Sequence, residues 1–417
     1  MIHTSGWRQP GWHFRKITCN NYQKNNTNKF TSMVRHSSRI ELSQSALKQN
    51  LTFIRKKIGP DAIFSSVVKA NAFGHGIETF VPMAEKAGVR HFSVASSYEA
   101  WEVSEACAND STIMIMGILY DDDLEWVISN EVEFFVFDIP RLKKAKQVAE
   151  KLDKKAIIHL EVETGGNRTG LDESELKTAL SYIKRHSDYL QFEGFCTHFA
   201  GIESLSNQFR IQKQKDKFHE LYKVVEDEGL SPNLKHTACS AAALAFPETV
   251  MDLVRVGTAH YGMWPSPDIY NLHLQQTGKS RDAPLKRVLS WKTDIMHIKE
   301  VKKDEFVGYG TSFQAPQEMT IAVLPLGYSN GYPRALSNRG EVLIRGKKAP
   351  VVGLINMNVF MVDVSHIGEA KVGDEAVLIG RQSNHVISIR SFSEFTNAIN
   401  NELVSRLPQA IPRYAVK

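Results

Sequence analysis

Eight short runs rich in β-branched and aromatic residues, each followed by a helical or turn-forming stretch, limit what this 417-residue chain can fold into. They are "AIFSSVVKA" (62–70), "HFSVAS" (91–96), "TIMIMG" (112–117), "EFFVFD" (133–138), "KAIIHLEVE" (155–163), "FEGFCTHF" (192–199), "LKHTACS" (234–240) and "LVRVGTAHYG" (253–262). The intervening segments 139–154 and 172–190 carry apolar residues at three-to-four spacing, which predicts helices. Eight strand-then-helix units within ~200 residues predict an α/β fold of the (β/α)8 TIM-barrel type, with a large open sheet as the alternative. After about residue 285 the helical pattern fades. "VLSWKTDIMHIKEV", "MTIAVLPLGYSNGYP", "GEVLIRGKKAPVVGLINMNVFMVDVS" and "DEAVLIG" then read as strands parted by Gly, Pro and Asn turns, hence a C-terminal all-β domain. The expected organisation is an extension at 1–33, a barrel at 34–280 and a β domain at 281–417. Residues 39–59 read as a strand, a Ser43 cap and an amphipathic helix leading into the barrel.

The net charge of +5 gives no hint of a polyanionic partner once it is located. Residues 1–32 hold Arg8, Arg15, Lys16, Lys24 and Lys29 and no acid, so 51 − 5 leaves 46 basic residues against 46 acidic ones. A neutral body gives no electrostatic support for binding nucleic acid or a membrane surface. The Asn-rich segment before Met33 reads as a disordered tail or upstream start, an organelle-targeting peptide being the alternative. No stretch has an apolar signal core or a membrane-spanning length, and Cys19, Cys107, Cys196 and Cys239 form no CxxC pair. Reduced thiols in a cytoplasmic protein are expected, without a disulfide framework or metal site.

In such a barrel the active site forms at the C-terminal ends of the strands. Those ends carry Lys69, Arg168 (in "TGGNRTG"), His198, Ser240, and Arg255 with Gly257. A lysine ending an apolar run either pairs with an acid or, desolvated, serves as a nucleophile that forms a Schiff base. On the fifth strand, period two puts His159, Glu161 and Glu163 on one face, inside the barrel, where Arg168 is placed to pair with Glu161. Ser240, Gly257 and Thr258 offer small N–H and O–H donors in the loops where barrels commonly hold phosphate. Together with a Schiff-base lysine, these donors point to pyridoxal 5'-phosphate. In the second domain "VGYGTSF" places Tyr309 between two glycines, which would let it enter another subunit's cleft.

The motifs "VVKANAFGHG", "VETGGNRTGL", "HFA" (198–200), "RVGTAHYG", "GYGTSF", "PLGYSNGYPR" and "INMNVFMVDV" resemble, in order, those of the alanine racemase family from about residue 34 to the C-terminus. The resemblance implies a pyridoxal-phosphate barrel, a β domain, and a head-to-tail homodimer with shared active sites that interconverts L- and D-alanine. It implies that Lys69 and Tyr309 of the partner subunit are the two catalytic bases, and that Arg255 faces the pyridine nitrogen. It further implies that His198 stacks by the ring and that Arg168 contacts the ring hydroxyl and the substrate carboxylate. Ser240, Gly257, Thr258 and Tyr261 would hold the phosphate, and the Met357 backbone would reach the substrate from the partner subunit. Four positions depart from the pattern. Phe73 replaces a phosphate-binding tyrosine, a loss of ~0.5–1.5 kcal/mol; Glu161 replaces a lysine that is carbamylated in many members. Asn358 stands where an acid is usual, and Asn401 where the family shows a tyrosine of the entry passage, which implies a wider entrance and a broader substrate range. A barrel decarboxylase would need an acid at the Arg255 position and a cysteine beyond Cys239. A non-catalytic cofactor carrier would be a lone barrel.

Overall fold

The first strand, β1 (Ser38–Ser43), runs directly into helix α1 (Gln44–Ile58), whose N-terminus is capped by Ser43, its side chain accepting from Ala46 N–H at 3.2 Å. A computed structural model describes residues 35–396 and 399–417; the expected extension 1–33 lies outside the described residues. After α1 come eight parallel strands: β2 (Ile63–Val67), β3 (His91–Ser96), β4 (Thr112–Ile118), β5 (Glu133–Val136), β6 (Ala156–Glu161), β7 (Leu190–Cys196), β8 (Leu234–His236) and β9 (Leu253–Val256). They alternate with α2 (Ile77–Lys86), α3 (Ser97–Ala106), α4 (Leu124–Ser129), α5 (Ile139–Leu152), α6 (Glu173–Arg185), α7 (Gln208–Asp227), α8 (Ser240–Ala245) and α9 (Pro267–Thr277).

The strands are ordered β8-β7-β6-β5-β4-β3-β2-β9. The ring is drawn shut where Arg255 N–H donates to Ala238 O and Asp252 N–H to Lys235 O, each at 3.0 Å. This is the (β/α)8 barrel that the strand count predicts. Helix starts follow their capping chemistry: Asp138 accepts from Arg141 N–H before α5, and Asp172 with Glu175 forms a capping box before α6.

The main apolar core lies between the strands and the surrounding helices, whereas the inside of the barrel is partly polar. Met114, Phe135, Cys196 and Leu253 form a small separate cluster there. Beside them Ser65, Ser93, His159 and His236 are fully buried. Room for the His159 ring is made by Gly194 on the neighbouring strand, where any Cβ would overlap the imidazole. The β6–β7 register slips at this point, from Ile158 opposite Phe192 to His159 opposite Gly194.

The C-terminal domain comprises β10 (Leu289–Asp294), β11 (His297–Val301), β12 (Met319–Leu324), β13 (Glu341–Ile344), β14 (Lys347–Val352), β15 (Phe360–Asp363), β16 (Glu375–Gln382), β17 (His385–Ile387) and β18 (Arg413–Val416). Its sheet runs β11-β12-β15-β14-β13-β16-β10-β1-β18, with β17 on β16. Thus β1, expected to lead into the barrel, pairs instead with β10 and, in parallel, with β18. The β domain is built from both ends of the chain. It also carries two short helices, α10 (Arg390–Thr396) and α11 (Asn400–Ser405), absent from the all-β expectation. Its buried centre includes Trp291 and the ring of Tyr332 stacked on Phe360, with centroids 4.4 Å apart. Residues 38–417 form one compact unit, and among the described residues no helix is long and apolar enough to cross a membrane.

The Gly194–His159 contact gives a direct test of this interior. Gly194→Ala should lower the unfolding free energy by roughly 1–3 kcal/mol, measured by chemical denaturation. An unchanged transition would contradict the packing described.

Candidate active site

Lys69 lies two residues beyond the end of β2, at the start of a turn in which Ala70, Asn71, Ala72 and Phe73 all take left-handed conformations, with φ of 51–53°. Each such residue costs about 1–2 kcal/mol, so the turn persists only if its surroundings hold it. Three contacts do so. The Glu99 carboxylate accepts from Ala70 N–H at 2.7 Å and from Ala95 N–H at 2.8 Å. The Asn71 side chain accepts from Ile77 N–H at 2.8 Å. Finally the Arg413 guanidinium donates to Gly74 O at 3.1 Å and also to the carbonyls of Pro408, Gln409 and Ile411. Gly74 itself is at φ 77° where a Cβ would overlap the Val404 carbonyl, so the lysine turn is pressed against the C-terminal segment. Burial without an acidic partner lowers the Arg413 pKa to about 10. None of Glu99, Asn71 and Arg413 was marked by the sequence motifs as a site residue.

The Lys69 side chain opens into a cavity of about 840 Å³ at the C-terminal end of the barrel, shared with Arg168, His198, Ser240, Arg255, Gly257 and Thr258. Seven of the ten expected site residues therefore meet in one place. Surrounding protein atoms and the Arg168 cation lower the Lys69 pKa, against a smaller opposing pull from Glu99. Burial, helped by the positive charges of Arg255, Arg168 and Lys69, pushes His198 down to about 3, so its imidazole is neutral near pH 7. Three cations around one cavity suit an anionic ligand.

Arg255 is buried, and its donors are distributed with one left over. Nη1 donates to His236 Nδ1 and to His236 O, and Nη2 to Thr197 O at 2.7 Å and Thr237 O at 3.4 Å. Its Nε–H has no partner among the described residues. Glu161 also lines the cavity, but the expected ion pair with Arg168 is not formed. The Glu161 carboxylate accepts from Thr169 O–H at 2.8 Å. The reason lies in the loop: Glu163 gathers the N–H groups of Gly165, Gly166 and Arg168, and the tight turn this makes presents Thr169 to Glu161. Burial raises the Glu161 pKa, opposed by Thr169 and by the charges of Arg255 and Arg168.

At the other side of the cavity Ser240 Oγ accepts from Gly257 N–H at 2.9 Å, which leaves its own hydrogen to be donated. Tyr261 does not join this group. It is fully buried beneath Phe73, with ring centroids 5.0 Å apart, and its hydroxyl donates to Val67 O at 2.9 Å. Phe73 and Asn401 both line the cavity, the latter carried there by α11.

Tyr309 and Met357 lie outside this cavity, exposed on the β domain at 73% and 55%. The Met357 carbonyl is held by Ser329 N–H at 3.1 Å and Ser329 O–H at 2.7 Å, while Asn358 donates to Ser329 Oγ at 2.8 Å. Asn358, one of the positions that depart from the expected pattern, thus donates from a neutral amide to the serine that holds the Met357 carbonyl.

The alanine racemase N-terminal domain model matches residues 42–265, and the C-terminal domain model matches residues 288–415. The chain belongs to the alanine racemase family. An alanine racemase of Leptospira interrogans is 33% identical over 381 residues, 91% of this chain and 96% of the relative. One from Methanococcus maripaludis is 32% identical over 383 residues, 91% of this chain and 99% of the relative. Among solved structures, alanine racemase from Clostridium difficile 630 aligns with TM-score 0.83 at 26% identity, covering 92% of this chain and 96% of that one. That of Bacillus anthracis with bound L-Ala-P aligns with TM-score 0.82 at 29% identity and the same coverage. The alanine racemase family uses pyridoxal phosphate, and the donor set here fits it. An amine with a lowered pKa suits its aldehyde, and the unpartnered Arg255 Nε–H suits a ring nitrogen. The Ser240 hydroxyl, free to donate in a cavity that three cations also line, suits its phosphate.

The floor beneath the lysine turn holds two further buried histidines that make the fold sensitive to acid. His75 and His260 flank Tyr261, with centroids 4.3 and 4.1 Å away, and each has one buried ring nitrogen without a hydrogen-bond partner among the described residues. Burial lowers them from 6.5 to about 4 and about 3. Below pH 6.5 the unfolded chain therefore binds protons that the folded chain refuses, so stability is full above that pH and lost as pH falls. Unfolding free energy measured from pH 7 to pH 5 should drop by at least about 1.4 kcal/mol per pH unit below the midpoint of the unfolded histidines; a flat profile would contradict the neutral burial of these rings.

Proposed function

We propose that this chain is a pyridoxal-phosphate-dependent racemase that interconverts L- and D-alanine by two bases, as a homodimer in the cytoplasm. The observation that carries the reading is the meeting of Lys69, Arg168, His198 and Arg255 at the mouth of one barrel, with the Arg255 Nε–H unspent. When bound, pyridoxal phosphate supplies an electron sink for the pair left when Cα loses its proton. Arg255 would donate a hydrogen bond to the ring nitrogen without handing it a proton, which would limit how far that sink is developed and disfavour side reactions. Neutral His198 stacks by the ring, Ser240 with Gly257 and Thr258 holds the phosphate, and Arg168 binds the ring hydroxyl and the substrate carboxylate. Lys69, with its lowered pKa, takes or returns the Cα proton on one face.

Inverting a carbon needs a second base on the opposite face, and among the described residues no tyrosine of the chain's own β domain lines the cavity. Tyr309 from a second copy fills that role in this reading. Its exposure on a loop between Gly308 and Gly310 is what such a donated residue requires. The N–H of Met357 makes no hydrogen bond among the described residues, and from the same partner surface it would meet the substrate carboxylate. Asn401 at the cavity wall favours a second reading, a racemase whose substrates extend beyond alanine.

Incubation with single L-amino acids in deuterated water, with readout of D-enantiomer and Cα deuterium, tests both readings. The wild type should exchange alanine, and Lys69→Ala should lose about 10²-fold or more. Tyr309→Phe should suppress conversion from one enantiomer while partly sparing exchange from the other. Absence of exchange with any amino acid would point to a non-catalytic cofactor carrier, full symmetric activity of Tyr309→Phe would refute the two-base assignment, and exchange confined to alanine would remove the broader range.

A further inference from the structure

Arg255 is connected to an acid that it does not touch. Because a guanidinium can only donate, the His236 Nδ1 to which it donates carries no hydrogen, and Nε2 carries the ring's proton. That Nε2 lies 2.9 Å from His159 Nδ1 and donates to it. His159 in turn bears its hydrogen on Nε2 and donates to the Glu133 carboxylate at 2.9 Å. The carboxylate only accepts. A donor-only group at one end and an acceptor-only group at the other leave a single arrangement of protons that satisfies the whole row. His91 adds a second arm to the same oxygen at 3.4 Å, its other nitrogen accepting from Ser65 at 2.8 Å. The row thus crosses the barrel from its mouth to the N-terminal end, where His91 borders a separate cavity of about 720 Å³. Gly194 makes the space for its central ring.

We propose that Glu133 is a positioning residue for Arg255. Acting through His159 and His236, it keeps His236 Nδ1 an acceptor and so holds the guanidinium in the orientation that leaves Nε–H for the ring nitrogen. This rests on the reading of the site as a pyridoxal-phosphate site. With no acid at its end, the row could reverse, setting a His236 N–H against an arginine N–H and displacing the guanidinium. Electrostatics agree with the assignment: burial alone would raise the Glu133 carboxyl, yet hydrogen bonds from His159 and His91 hold it down to about 2. The nearest arginine end of the row has only neutral acceptors, so the negative charge sits two imidazoles away from the positive one.

Glu133→Leu and Glu133→Gln separate this role from simple packing. Glutamine can accept from His159 with its carbonyl, and its amide hydrogens can face His91, which can change tautomer because the Ser65 hydroxyl both donates and accepts. Leucine can do neither. Nitrogen-15 NMR of the imidazoles in the cofactor-free protein and the visible absorption of the pyridoxal-phosphate-loaded protein are the two readouts. In the wild type and Glu133→Gln, His236 should show an unprotonated Nδ1, and the bound cofactor should show the same absorption band. In Glu133→Leu the His236 and His159 nitrogens should report mixed tautomers and the band should shift. Wild-type nitrogens and band in Glu133→Leu, or a shift in Glu133→Gln as large as that of leucine, would overturn the proposal. Should Glu133→Leu not yield folded protein, Glu133→Ala is judged by the same criterion. A wild type that takes up no cofactor would instead defeat the reading of the site, and the nitrogen signals would still judge the row.

Discussion

Withdrawing a guanidinium from water costs several kcal/mol unless its hydrogens are met, and the inside of this barrel is arranged around meeting those of Arg255. Its acceptors are a histidine ring and three backbone carbonyls rather than a carboxylate. That choice keeps the charge available at the cavity while satisfying all but one donor. It also explains why the barrel interior holds buried serines and histidines where branched aliphatic residues are usual. A hydrogen-bonded column needs polar side chains at successive levels, and each must be matched on both sides to be tolerated.

The second constraint is the left-handed turn that carries Lys69. Four consecutive non-glycine residues at positive φ form an unfavourable local structure, maintained by contacts from elsewhere in the chain. Those contacts come from α3 through Glu99 and from the C-terminal segment through Arg413 and the Val404 carbonyl. Since β18 also pairs with β1, which leads straight into α1, the β domain is mechanically part of the lysine's support. Its distance from the barrel in sequence conceals this. The same domain displays Tyr309 and Met357 outward, so one element braces the lysine turn of its own chain and, in the proposed homodimer, would present groups to the site of a second copy.

The barrel was legible because parallel strands are nearly continuous apolar runs and the alternating helices carry clear periodicity. The cavity-lining residues at strand ends were legible for the same reason: chemistry-bearing side chains stand out against apolar runs. Other features depend on contacts that no local pattern encodes. The Arg413–Gly74 hydrogen bond spans 339 positions, and the pairing of β1 with β10 spans about as much of the chain as separates Arg39 from Asp294, 255 positions. Period two correctly put His159 and Glu161 inside the barrel but could not show that the following loop would give Glu161 to Thr169 rather than Arg168. Tyr261 was misplaced for a similar reason, since its motif position does not reveal that its hydroxyl donates to Val67 O. Glu133, at the start of a hydrophobic run, reads in sequence as a strand edge.

In the proposed site the strained turn delivers the Lys69 amine to pyridoxal phosphate. Borohydride reduction of the cofactor-loaded protein, followed by mass mapping of its peptides, shows where the cofactor is attached. One pyridoxyl mark per chain is expected, on Lys69. A mark on any other lysine, or cofactor retained with no covalent mark after reduction, would contradict it.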